Sequence, residues 1–234
     1  MGSSESAGNS RVVVIDGPAG AGKTTAARAL ARHLGLPLLD TGAIYRSVAL
    51  SARRQGIAWD DEGALAALAQ SLPIRFGGLP APGQPDAPQT VWLGDDDVTT
   101  DIRTPQISDG ASRVSALPGV RKALLELQRA LGAAGCVAEG RDMGTVVFPD
   151  ARHKFFVTAD LAARAARRQA EGGDVPLAKV EQQMRSRDAR DSGRATAPLA
   201  QADDAVVVDT THLDPQGVLD LILARVRERD DADA

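Results

Sequence analysis

Eight consecutive residues, Gly17-Pro18-Ala19-Gly20-Ala21-Gly22-Lys23-Thr24, fit the spacing G-x-x-x-x-G-K-[ST], with which a loop cradles the phosphates of a nucleoside triphosphate. The chemistry follows from the residue types. Gly17, Gly20 and Gly22 can take backbone angles closed to residues with side chains, so successive N–H groups can converge on one anion. A helix starting behind the loop adds free N–H groups and the positive end of its dipole. Lys23 is expected to reach the β- and γ-phosphates, and the Thr24 hydroxyl to ligate Mg²⁺, a hard cation that prefers oxygen. The expected ATP contacts are therefore Gly17, Pro18, Ala19, Gly20, Ala21, Gly22, Lys23, Thr24 and the adjoining Thr25. By itself the motif specifies a triphosphate and leaves the reaction open.

A second concentration of charge is Arg185, Arg187, Arg190 and Arg194, four arginines within ten residues. They repel one another unless an anion gathers them. Gly172, Gly173 and Gly193 punctuate the stretch, which reads as an arginine-bearing helical lid. Arg46, Arg121 and Arg141 are further candidates for an anion.

These residues need a scaffold. Val12 to Ile15 is a β-branched run suited to a buried strand. The Ala-rich stretch from Thr25 to Leu34 is a helix, closed by Gly35 and Pro37. Leu36 to Leu39 is a second strand, followed by a helix from about Ala43 to Gln55 that Thr41 is expected to cap. Further strands are expected over 135–139, 153–158 and 205–209, with helices over 60–70, 104–115, 118–131, 161–170, 177–189 and 215–228. Five short apolar strands alternating with helices give an α/β fold: a parallel sheet with helices on both faces. Ligands gather at the carboxyl ends of such strands, where Gly17, Asp40, Asp142 and Asp160 fall.

Residues 72–103 differ in character. Five prolines and several glycines surround Ile74-Arg75-Phe76 and Val91-Trp92-Leu93, which predicts a small antiparallel insert. The expected division is a tail over 1–10, a core over 11–71 and 104–234, an insert over 72–103 and a lid over 171–195. Asp95-Asp96-Asp97 reads as a charged hairpin turn, because no calcium loop surrounds it.

Composition narrows the function. The 234 residues carry a net charge of −4 and 3% aromatic residues, a poor match to nucleic-acid binding. Cys136 is the single cysteine and sits in an apolar run, as a buried structural thiol would. No apolar stretch approaches the ~18 residues of a membrane span. A cytoplasmic monomer acting on small molecules is expected.

Five blocks, in order, resemble the bacterial cytidylate (CMP) kinases. They are Val14-Ile15-Asp16-Gly17-Pro18-Ala19-Gly20-Ala21-Gly22-Lys23, then Leu39-Asp40-Thr41-Gly42-Ala43-Ile44-Tyr45-Arg46, then Asp101-Ile102-Arg103-Thr104-Pro105. The run from Gly140-Arg141-Asp142-Met143-Gly144 to Pro149-Asp150 follows, and Arg187-Asp188-Ala189-Arg190-Asp191 closes the series. The resemblance implies a P-loop kinase core with a five-stranded parallel sheet, an acceptor-binding insert and a helical lid. It implies transfer of the γ-phosphoryl group of ATP to CMP or dCMP, in pyrimidine nucleotide metabolism. Carried over by position, Thr41 and Asp191 would meet the ribose hydroxyls, and Ser112, Arg121 and Asp142 the cytosine. Arg46, Arg141 and Arg194 would hold the acceptor phosphate, and Arg187 would act near the transferred group, making Lys23, Arg187 and Arg141 the catalytic residues. Thr41 stands where serine is common, and Thr24 where glycine is frequent.

The residue chemistry is compatible with that assignment. Asp142 can accept from the N4 amino group of cytosine, while Arg121 can donate to N3 or O2. Uracil reverses the polarity at both edges, and each mismatch costs roughly 1–3 kcal/mol. No general base is needed, because a phosphate monoester with a second pKa of about 6 is already mostly a dianion at neutral pH. Two other readings stay open on the residues alone: a P-loop kinase for UMP or shikimate, and an NTP-dependent switch, though the guanine-reading Asn-Lys-x-Asp motif is lacking.

Overall fold

The computed structural model describes residues 11–81, 87–172 and 175–232. The tail over 1–10, the Pro-rich residues 82–86, residues 173–174 with the expected Gly173, and residues 233–234 of the expected frayed end lie outside the described residues. Eight strands and eight α-helices are described. They run β1 (Val12–Asp16), α1 (Lys23–Leu34), β2 (Leu38–Asp40), α2 (Thr41–Arg54), α3 (Glu62–Gln70), β3 (Ile74–Phe76), β4 (Val91–Leu93) and β5 (Asp96–Asp97). After a 3₁₀ turn over Asp101–Arg103 come α4 (Pro105–Val114), α5 (Pro118–Gly132), β6 (Cys136–Gly140), β7 (His153–Thr158), α6 (Leu161–Gly172), α7 (Leu177–Ser192), β8 (Val206–Asp209) and α8 (Pro215–Asp231).

The main sheet has the order β2-β6-β1-β7-β8, and every pairing in it is parallel. Side chains alternate across a strand, and β1 divides its four apolar residues accordingly. Val12 and Val14 join the core beneath α2, α4 and α5, whereas Val13 and Ile15 join the core beneath α1 and α8. Both faces of β1 are therefore covered, which is why Val12 to Ile15 reads as an unbroken apolar run. The second sheet, β3-β4-β5, is antiparallel, and the turn at Gly94-Asp95 joins its last two strands. The expected insert is thus a three-stranded sheet. Cys136 is fully buried, and burial pushes its thiol up to about 12.

Two local expectations are corrected. Thr41 does not cap α2. Asp40 does, its carboxylate accepting from Ala43 N at 2.9 Å; a charged acceptor at the end of β2 outcompetes a hydroxyl. Thr41 instead opens the helix and donates to the carbonyl of Glu139 at 2.7 Å. The helix expected over 104–115 begins only at Pro105, with Thr104 as its cap. A π-turn over Met143–Val147 was not foreseen.

Candidate active site

The phosphate loop joins the end of β1 to α1, and its shape depends on glycine at three places. Gly17 has φ +145°, and a Cβ there would run into the carbonyl oxygen of Val157. Gly20 has φ +74°, with the tip of Met184 2.8 Å from where a Cβ would stand. Gly22, at φ +87°, occupies the N-cap of α1, which carries no side-chain cap. The orphan N–H groups of the first turn are left to a ligand.

Lys23 is buried, and its ammonium donates to the Pro18 carbonyl at 2.7 Å. Burial, and after it the Arg141 charge, push its pKa well down, against the pull of Glu139. Thr24 Oγ1 donates to Glu139 Oε2 at 2.9 Å, and Glu139 Oε1 is buried without a partner among the described residues. Asp16, at the end of β1, accepts from Met143 N at 3.0 Å and Gly144 N at 2.8 Å. It thereby moors the π-turn beside the loop. Burial raises the Asp16 carboxyl to about 6, those two backbone bonds opposing it.

Burial, and after it the Asp40 charge, raise Glu139 to about 7. The folded state thus holds this proton more tightly than the unfolded chain does. The penalty for ionising Glu139 is absent below the ordinary glutamate range and complete above pH 7. Glu139→Gln removes the charge and keeps an oxygen for Thr24. It is expected to raise the Tm of nucleotide-free protein in magnesium-free buffer, more at pH 8 than at pH 5. Calorimetric scans at the two pH values check this, and an equal gain at both contradicts it.

Across the strand ends lies a cavity of about 140 Å³. Its wall includes Thr41, Arg46, Arg121, Arg141, Asp142, Arg187, Asp191 and Arg194, eight residues singled out from sequence, together with Tyr45, Ser108, Ser115 and Arg168. Two carboxylates organise it. Asp142 pairs with Arg121, and both side chains are nearly inaccessible, at 4% and 6%. Arg121 also donates to Ser115 O at 3.1 Å and lies 5.3 Å from the centre of the Tyr45 ring. Asp191, on α7, gathers three arginines: Arg141 at 2.8 Å, Arg194, and Arg187 at 4.0 Å. Burial alone would raise the Asp191 carboxyl, but Arg141 and Arg194 hold it below the usual carboxylate range. Arg187 is pushed down to about 10, by burial first and then by Arg141. Four guanidiniums thus crowd two carboxylates, an excess of positive charge that favours an anion.

Arg46, on α2, pairs with Asp40 at 2.7 Å. Ser112 is not part of the cavity wall; that wall takes Ser108 and Ala111 from α4 and Ser115 from just beyond its end. Ser112 is buried with its hydroxyl unpartnered among the described residues. Thr25 is exposed and lines a separate, smaller cavity with Gly22, Arg167 and Leu213. Pro18, Ala19 and Ala21 present carbonyls to Lys23, Arg164 and Thr210 respectively.

Asp16, Glu139 and Arg164 were missed from sequence. A carboxylate closing an apolar run, as Asp16 and Glu139 both do, is the signal that could have found the first two.

A family profile described as cytidylate kinase matches residues 13–228. The chain is 48% identical over 223 residues to the cytidylate kinase of Syntrophotalea carbinolica, covering 93% of this chain and 92% of that one. It is 46% identical over 223 residues to that of Chromobacterium violaceum, covering 93% and 96%. With the cytidylate kinase of a Pseudomonas aeruginosa strain the identity is 48% over 217 residues, covering 91% and 93%. The spacing of the phosphate loop, the five-stranded parallel sheet and these likenesses along nearly the whole length agree: the chain belongs to the cytidylate kinase family.

Proposed function

We propose the division of labour by which this phosphotransferase moves the γ-phosphoryl group of ATP to CMP and dCMP, giving ADP and CDP or dCDP. The observation that carries it is the run Glu139-Gly140-Arg141-Asp142. Its first residue bonds Thr24 on the phosphate loop, and its last two line the arginine-rich cavity. One strand end therefore touches the donor side and the acceptor side at once.

On the donor side, residues 17–25 hold the triphosphate, with Lys23 leaving the Pro18 carbonyl for the β- and γ-phosphates. The hydroxyl of Thr24 and the unpartnered oxygen of Glu139 suit a hard cation that keeps most of its ligands as water and phosphate. When bound, Mg²⁺ supplies charge neutralisation of the phosphates. On the acceptor side, Arg46, Arg141 and Arg194 take the phosphate, and Thr41 and Asp191 the ribose. Asp142 accepts from the cytosine N4, and Arg121 donates to N3 or O2. Arg187 lies between the two sides and neutralises charge on the group in flight. The acceptor dianion needs no base, so the work is positioning and charge neutralisation. We assign the 72–103 unit to acceptor binding and 171–195 to a lid that excludes water, the competing acceptor. A cytoplasmic monomer acting on free nucleotides rather than nucleic acid belongs to the same proposal. Among the described residues no helix is long and apolar enough to cross a membrane.

The test is the initial rate of ADP formation with CMP, dCMP, UMP or shikimate as acceptor. CMP and dCMP are expected to be used well. UMP should fall by roughly ten- to a hundredfold in kcat/KM for each reversed hydrogen bond. Equal rates with CMP and UMP would remove the cytosine assignment.

A further inference from the structure

One buried cation has no part in the account above. Arg164, in the first turn of α6, has a side chain only 7% exposed, and each of its three nitrogens is engaged. Nε donates to Ala159 O at 2.9 Å, at the end of β7. Nη1 donates to Ala19 O at 3.1 Å, on the phosphate loop. Nη2 pairs with Asp188 of α7 at 2.8 Å. A trans peptide points its C=O and N–H in opposite directions. Fixing the Ala19 carbonyl on Arg164 therefore turns the N–H of Gly20 away from α6.

Asp188 is three residues before Asp191, on the same face of α7. One helix face thus ends in two carboxylates with different duties. Asp191 is bound to Arg141 and Arg194 in the acceptor cavity. Asp188 is bound to the arginine that fixes the phosphate loop, and its second oxygen is buried without a partner among the described residues. Met184, one turn earlier, rests against Gly20 and packs with Val180 and Ala165. Helix α7 is the physical link between the two sides.

We propose that Arg164 and Asp188 are positioning residues that couple the two substrate sites. An acceptor that engages Arg141, Arg194 and Asp191 fixes α7; α7 then holds Asp188 on Arg164, and Arg164 holds the phosphate loop ready for the triphosphate. Filling one site removes part of the ordering cost of the other, so the coupling is positive and, being thermodynamic, reciprocal. The proposal rests on the donor and acceptor assignment given above.

Titration calorimetry with the β,γ-imido analogue of ATP, Mg²⁺ present, tests it with and without saturating CMP. In the wild type CMP should tighten the analogue by at least about fivefold, and the analogue should tighten CMP by the same factor. Asp188→Asn preserves shape at a side chain that is 24% exposed, and it should reduce that factor to within about twofold of unity. It should leave the affinity for CMP alone nearly unchanged. Arg164→Lys keeps a charge but not the three-way geometry, and should do the same. A purely structural role would lower Tm and both affinities while leaving the coupling factor intact, and that result would overturn the proposal. Absence of coupling in the wild type would overturn it too. A wild type that binds the analogue but not CMP would overturn the acceptor assignment itself, before any variant is made.

Discussion

Lys23→Ala is expected to lower kcat by about 10²–10³-fold, the range seen when one preorganised donor is taken from a transition-state charge. The KM for CMP should move by less than about threefold, because Lys23 is not in the wall of the arginine-lined cavity. The size of the effect comes from where Lys23 sits. It is buried, its charge is opposed by Arg141 and supported by Glu139, and its nearest partner is a carbonyl of its own loop. A cation held at such cost in the unliganded site is stabilised when triphosphate oxygens arrive, and most when their charge is spread in flight. A water-exposed lysine would contribute far less. Removing a buried charge need not destabilise the fold, so a melting curve like that of the wild type should accompany the loss. Steady-state kinetics with each substrate varied in turn check the prediction; a kcat loss below tenfold would contradict it.

The second large effect concerns Asp142. Asp142→Ala should lower the ratio of kcat/KM for CMP over UMP by at least about tenfold, since it removes the carboxylate proposed to accept from the N4 amino group. It should also destabilise the protein by about 3–5 kcal/mol, because Arg121 is left buried without its carboxylate partner. The two consequences are separable. Replacing Asp142 by asparagine keeps the shape and an acceptor oxygen for Arg121, yet its NH₂ can serve the O4 of uracil. Discrimination should fall in that variant while stability falls less. If Asp142→Asn left the CMP/UMP ratio unchanged, the carboxylate would not face the base.

How much of this was legible in the sequence depends on the distance over which each feature is encoded. The strand, loop and helix around Gly17–Thr24 were legible because they are contiguous and glycine is required there by backbone angles alone. The parallel sheet followed from five apolar runs with helices between them, and the order of the family-like blocks brought eight residues to the wall of one cavity. What escaped depends on contacts across the chain. Thr24 and Glu139 are 115 residues apart, and Asp16 and Gly144 are 128 apart. Nothing local marks Arg164 as different from Arg167 or Arg168, yet it alone is bound to the phosphate loop and α7 together. Asp40 and Thr41 show the same limit at short range. Either could cap a helix, and the sequence alone favours neither. The fold gives that role to the carboxylate, because Thr41 is turned toward the Glu139 carbonyl on the neighbouring strand.

The arginine-lined cavity is proposed to seat a cytidine monophosphate with its base on Asp142 and its phosphate among the arginines. A crystal structure with CMP bound tests it most directly. N4 is expected within hydrogen-bond distance of an Asp142 carboxylate oxygen, Arg121 on the N3 or O2 edge, and the phosphate in contact with Arg46, Arg141 and Arg194. A base lying away from Asp142, or a phosphate touching none of those arginines, would contradict it.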